Sequence, residues 1–220
     1  MMSFENVRPE EIWEATKDTL TMTAWSLVFT IVIGFFLGLV LFLTSRRQLL
    51  QQSFIYTVLS IVVNIVRSVP FVILMISIMP FTKAITGTTF GVAGTIPPLI
   101  VGAAPFFARL VETALREVDR GVIEAAVAMG ASKSDIVFRV LMREARPGLF
   151  AAITVTAVTL VSYTAMSGVI GGGGLGDLAL RYGYQRFQTD VMLVTVVLLV
   201  ILVQLLQMVG DVLVRRYSRK

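Results

Sequence analysis

Hydrophobic positions in this chain come in long unbroken runs rather than in alternation. Leu20 to Thr44 carries no charged residue. At about 1.5 Å per residue, a helix of that length crosses a hydrocarbon core ~30 Å thick with room for tilt. Further apolar runs follow, and the pattern predicts five membrane spans over about 19–45, 54–82, 92–115, 148–169 and 191–214. Gly34, Gly38, Pro70 and Pro105 fall inside them, where neighbouring helices can re-satisfy freed backbone groups. A hydrophobic β-barrel is excluded, because its strands would alternate apolar and polar residues. The expected fold is an all-α membrane protein: one transmembrane domain over 1–220 with five transmembrane helices.

One polar segment, about 116–147, interrupts the pattern and is long for a connection between spans. Gly121 to Met129 is rich in alanine and compatible with a helix. Gly130 can end that helix in a left-handed residue. Ser132 and Asp135 then form a capping box ahead of the apolar residues Ile136, Val137, Val140 and Leu141. The segment therefore reads as helix, glycine turn, helix. Two uses fit: an amphipathic pair lying on the membrane surface, or a docking element. In the second, Ala125, Ala126 and Gly130 keep one surface shallow, and Glu124 offers a charge to a basic group across the contact.

Composition agrees with a membrane protein. The chain is 56% hydrophobic and 15% charged, with a mean hydropathy of +0.83, against about 45–50% and about 25% in soluble domains. It has no His and no Cys, which removes Cys/His metal centres, His-based triads, redox thiols and disulfides. The start, MMSFENVRPEEIWEATKD, is acidic. A secretory leader needs a basic beginning and a short apolar core, so no cleaved leader is expected.

The basic residues divide unevenly between the two sides. Twelve fall in one set of segments: Arg46 and Arg47, then Arg116 to Arg146, then Arg215 to Lys220. Five fall in the other: Arg8, Lys17, Lys83, Arg181 and Arg186. Cytoplasmic loops carry the excess, which places the N-terminus outside, the C-terminus in the cytoplasm and the 116–147 segment among the cytoplasmic ones. The net charge of +5 is thus a topology signal, and no nucleic-acid partner is expected.

Glu124-Ala125-Ala126, then Gly130, then Ile136 and Val140, resembles the EAA loop of ABC importer permeases. The stretches VNIVRSVPF at 63–71 and GAAPFFAR at 102–109, and Gly171 to Gly176 followed by Tyr182-Gly183-Tyr184, are similar to those of the methionine-uptake permeases, over nearly the whole chain. The resemblance implies a permease subunit in a bacterial cell membrane, forming the pathway for methionine. It implies a coupling helix seated in a cytoplasmic ABC ATPase dimer, with ATP and Mg on that partner and no cofactor on this chain. It also implies a permease homodimer and an extracytoplasmic substrate-binding (lipo)protein. The chain departs from the family where an apolar-Pro pair usually closes the loop. Met142-Arg143 stands there and Pro147 comes later, so the second helix can run further, and Arg143 and Arg146 are free to meet lipid phosphates or an acidic protein surface.

Nothing in the chain can itself hydrolyse ATP, since the phosphate-cradling G-x-x-x-x-G-K-[ST] loop does not occur. Gly171 to Gly176 satisfies G-x-G-x-x-G formally, with Asp190 in a suitable place downstream. A dinucleotide site needs a preceding strand, whereas this run follows a membrane span. Flexible or tightly packed backbone near the outer mouth is expected instead.

Charge inside a membrane marks a functional site by default. Arg67, with Asn64 and Ser68 beside it, lies within span two. It either lines the pathway or gate, or contacts the amino acid's carboxylate, or ties helices together through Glu112 or carbonyls freed by Pro70. Arg109 and Glu112 are three apart on one face and read as a structural pair. Ser162 and Met166 near the end of span four are further pathway candidates. Met166 is either a soft plug on a twofold axis or ordinary filling. Alternatives in substrate are another amino acid or a small oxyanion. A secondary transporter would show internal repeats and ion-coordinating broken helices, and a mere membrane scaffold would carry no flux.

Overall fold

The computed structural model describes residues 8–46 and 48–218; Arg47, Arg219 and Lys220, which enter the charge count above, and the first seven residues lie outside them. The described residues are mostly helical, joined by short turns, with no strand. Helix α1 spans Pro9–Thr44, α2 Ser53–Ser68, α3 Phe71–Ser77, α4 Met79–Thr86 and α5 Gly91–Arg116. Then come α6 (Arg120–Ala128), α7 (Lys133–Asp135), a π-helical stretch (Ile136–Leu141), α8 (Met142–Glu144) and α9 (Arg146–Ser167). The chain closes with α10 (Gly174–Leu178), a second π-helical stretch (Ala179–Tyr184) and α11 (Thr189–Tyr217). Among the described residues four helices are long and apolar enough to cross a membrane, and α2 with α3 makes a fifth crossing if the bent pair is one span.

The bend departs from the straightforward reading of 54–82. The hydropathy there is continuous, yet α2 and α3 meet at 103°. Val69, held extended (φ −81°, ψ 126°) before Pro70, is the physical cause, since a residue preceding proline is pushed out of the helical region. Apolar residues on both sides of the break look identical to a hydropathy average.

Helices α1 and α5 form the centre. A β-carbon added at Gly34 would sit 2.7 Å from the Ala104 carbonyl oxygen, and one at Gly38 2.5 Å from that of Ala108. Each helix thus presents a pair of small residues four apart, so the backbones touch. In lipid no hydrophobic force drives helices together, and close packing of small residues takes its place. Around this contact Phe42, Phe107, Val111, Leu115 and Leu141 are buried. Nearer the chain's start in α1, Met22 packs with Met75, Leu99 and Leu160. Helix α11 lies at the rim, with only 11% of its most apolar window buried.

The glycine run is tightly packed. Gly172 lies against the hydroxyls of Ser167 and Thr95, and Gly176 against Ala165. The Leu175 amide donates to Thr19 Oγ1 at 2.8 Å. The run thus folds the chain end of α9 onto α1, following a helix rather than the strand that a dinucleotide-binding turn requires.

Candidate functional site

The 116–147 segment has the local structure its residues demand. Asp119 caps α6 by accepting from the Gly121 amide at 2.7 Å. At the other end Gly130 adopts φ +78°. Its amide donates to the Val127 carbonyl at 2.9 Å, and that of Ala131 to the Ala126 carbonyl at 3.1 Å. These are the two hydrogen bonds of a Schellman turn, whose left-handed residue favours glycine. Ser132 caps α7, accepting from the Asp135 amide at 3.1 Å while its hydroxyl donates to Asp135 Oδ2 at 2.6 Å. With no proline at 142–143, the helical path continues through Leu141 into α8, as the departure from the family pattern allows.

Burial sorts the candidate residues into two faces. Ala126 points inward at 3% exposure, beside Ile136 and Val137, so the shallow outer surface belongs to Ala125 and Gly130 and not to all three. Glu124 is exposed at the edge of a cavity of about 460 Å³ that Arg116, Arg120 and Gln48 also line. Sequence reasoning missed Met129 and Phe138, which stand 82% and 65% exposed on the same helix pair. The available signal was an apolar residue placed off the buried stripe. Exposed aromatic and methionine side chains on a short helix pair are the chemistry of a protein contact.

Behind this surface lies a charge network. Glu112, 5% exposed, receives Arg109 on one carboxylate oxygen and Arg116 on the other, each at 2.6 Å. Arg109 also donates to Ser60 Oγ at 2.5 Å and to Asn64 Oδ1 at 3.1 Å. One carboxylate therefore joins the middle of α2 to the end of α5, three residues before the cap of α6.

Among the pathway candidates, Arg67, Asn64 and Ser68 share the end of α2 and all are exposed in the single chain. Asn64 is bound to Arg109, and Ser68 donates to its carbonyl at 2.8 Å. Arg67 does not reach Glu112, whose oxygens are occupied. Its guanidinium instead sits 6.0 Å over the Phe106 ring. The small cavity there, about 120 Å³, is also lined by Phe71 and Tyr163, whose rings stack 4.1 Å apart. These three aromatics were not singled out from sequence. Ser162 lies elsewhere, in an apolar groove between α9 and α11. Met166 is 45% exposed, one turn further along α9.

Several known proteins share this architecture. The chain is 46% identical over 228 residues, covering all of both chains, to the "Probable D-methionine transport system permease protein MetI" of Vibrio cholerae serotype O1. It is 51% identical over 210 residues, covering 96% of this chain and 95% of the relative, to the "Methionine import system permease protein MetP" of Bacillus subtilis. A chain from the solved inward-facing MetNI methionine ABC transporter superposes with a TM-score of 0.94 at 46% identity, over 97% of this chain and all of that one. A chain of an amino acid ABC transporter solved with histidines shares the fold alone, with a TM-score of 0.78 at 16% identity. Residues 30–220 match the family described as "Binding-protein-dependent transport system inner membrane component", and this chain belongs to that family.

Proposed function

We propose that this chain is the membrane-spanning permease subunit of an ATP-driven methionine importer, coupled to a separate ATPase through α6 to α8. The observation that carries the coupling is the exposed helix pair at 120–144, fixed by a Schellman turn and two caps and anchored to α5 through the segment that follows Glu112. Full-length similarity to methionine permeases supports the cargo. The helix pair faces the cytoplasm, with the N-terminus outside, as the distribution of Arg and Lys supports. Two copies about a twofold axis enclose the pathway, resting on two ATPase subunits that hold ATP and Mg, and a soluble binding protein delivers cargo from outside. Arg67, Asn64 and Ser68 line that pathway, because a lone guanidinium facing lipid would be costly. Met166, and less directly Ser162, lie toward its gate.

The test is uptake of labelled methionine into liposomes containing this chain, its ATPase and its binding protein. Accumulation should require all three and ATP inside the compartment that holds the ATPase. Methionine flux through the chain alone would overturn the coupling, and a complete system that moves another amino acid or an oxyanion in preference would overturn the cargo.

A further inference from the structure

Where α9 begins and α11 ends, the chain gathers positive charge that the described residues do not balance. Arg143, Arg146 and Arg216 line a cavity of about 320 Å³ in which Glu144 is the single carboxylate among the described residues. Among the described residues the ion pairs are made by other arginines, and none of these three takes part in one. Arg146 lies 6.0 Å over the ring of Tyr217, and Tyr217 stacks on Phe150 with centroids 4.9 Å apart. An aromatic residue between an apolar body and a basic pocket belongs at the level of lipid headgroups.

The wall of the cavity continues into an apolar stripe. Leu205, Val209 and Val212 on α11 are 54%, 61% and 59% exposed. Their spacing of four and three residues keeps them on one side of the helix, and Arg216 follows four residues later on the same side. An uncovered apolar stripe thus ends in a guanidinium at the mouth of a basic cavity. The ligand that matches has long apolar chains and one anionic head. A free phosphate would leave the stripe without purpose, and an acidic protein surface would not reach along it.

We propose that this cavity binds the headgroup of an anionic glycerophospholipid. Arg143, Arg146 and Arg216 hold the phosphodiester, and the acyl chains run along Leu205, Val209 and Val212. Arginine is suited to the head because its planar donors meet phosphate oxygens in pairs, and basic pockets between membrane helices take such lipids. Glu144 is left to accept hydrogen bonds from headgroup hydroxyls. The site goes beyond the transport reading and stands without it, needing only that α9 and α11 cross a bilayer.

Native mass spectrometry of the purified full chain tests the site. The probe is an equal mixture of phosphatidylglycerol and phosphatidylcholine with identical acyl chains. Near a membrane surface each of the three arginines favours an anionic over a zwitterionic headgroup, so retention should favour phosphatidylglycerol by roughly 10-fold or more. The triple variant R143Q/R146Q/R216Q should lower that ratio to near one, while Arg-to-Lys changes at the three positions should keep most of it. Arg181→Gln, on an arginine 54% exposed between the end of α9 and the start of α11, at the opposite end of both helices from the cavity, should leave it unchanged. If the triple variant does not fold, Arg216→Gln alone should lower the ratio about threefold, and no change in it would overturn the site. Equal retention of both lipids by the unaltered chain would also overturn it. So would displacement of the lipid by excess soluble glycerol phosphate, which assigns the cavity to free phosphate. An unaltered lipid ratio in the triple variant together with loss of ATPase association would assign the surface to a protein.

Discussion

Glu112 and Arg116 meet at 2.6 Å one turn before α5 ends, and the second oxygen of the same carboxylate holds Arg109. One buried acid therefore balances two guanidiniums at the junction between the membrane helices and α6. Glu112→Gln keeps the shape but leaves both arginines without a counter-charge. Breaking a fully buried pair costs about 3–5 kcal/mol. Arg116 retains water, being 43% exposed, so the expected loss is about 2–3 kcal/mol. It is checked by a lower melting temperature in detergent, and Glu112→Asp should lose less than Glu112→Gln.

Gly130 is where the backbone alone carries the turn. A β-carbon there would meet nothing within 4 Å, yet φ is +78°. Gly130→Ala thus adds no clash with a neighbour and about 1–2 kcal/mol of backbone strain. On the proposed coupling, ATP-dependent uptake should fall several-fold. Gly130→Asn, which tolerates the left-handed region, should retain most of it. Equal activity of the two variants would separate the turn from transport.

Phe138 should matter to a partner and not to the fold. It is 65% exposed while its neighbour Val137 is 7% exposed. Aromatic anchors often cost ~2 kcal/mol or more when removed from an interface, so Phe138→Ser should weaken ATPase association roughly 10-fold or more and leave the melting temperature unchanged. Ile136→Ser, at a position 1% exposed, should lower the melting temperature. Undiminished ATPase association by the Phe138 variant would place the contact elsewhere on the helix pair.

These contrasts also mark what the residues disclose before any coordinates. The long apolar runs were legible because lipid leaves a spanning backbone few options beyond the helix. The turn at Gly130 and the cap at Ser132 were legible because each is a local hydrogen-bonding problem with one good solution. The direction of the chain at Pro70 was not, since hydropathy has no angular content. Nor was the inward turn of Ala126, because alanine is compatible with either face of a helix. The cavity of Phe71, Phe106 and Tyr163 joins three separate helices, and in sequence its members look like ordinary membrane apolar residues.

The contact between α1 and α5 predicts a difference between two glycines. At Gly38 a methyl group would lie 2.5 Å from a backbone carbonyl, while at Gly102 it would lie 3.1 Å from the edge of the Phe71 ring. A ring can shift by a few tenths of an ångström, whereas the carbonyl moves only with its helix. Gly38→Ala should therefore cost about 1–3 kcal/mol, in the range of overpacked cores, and Gly102→Ala less than about 1 kcal/mol. Melting temperatures of the two variants in the same detergent give the comparison.

Asp18 carries a pH dependence whose sign follows from its surroundings. It lies on α1 just before the charge-free stretch that opens at Leu20, so it is outside the apolar part of the span. Burial pushes its carboxyl above the usual 3.8, the nearby Glu14 carboxylate pushes the same way, and Lys17 opposes them. A raised carboxyl means that the folded chain holds this proton more tightly than the unfolded chain does. Ionised Asp18 therefore weakens the fold at neutral pH, and the penalty fades as pH falls through its raised value toward 3.8. Asp18→Asn removes the charge at every pH. Its melting temperature should exceed that of the unaltered chain at about pH 7, and the gap should close by about pH 4. Paired melting curves across that range check this, and a gap that widens on acidification would mean that the Asp18 carboxylate is held by an attraction rather than penalised by burial.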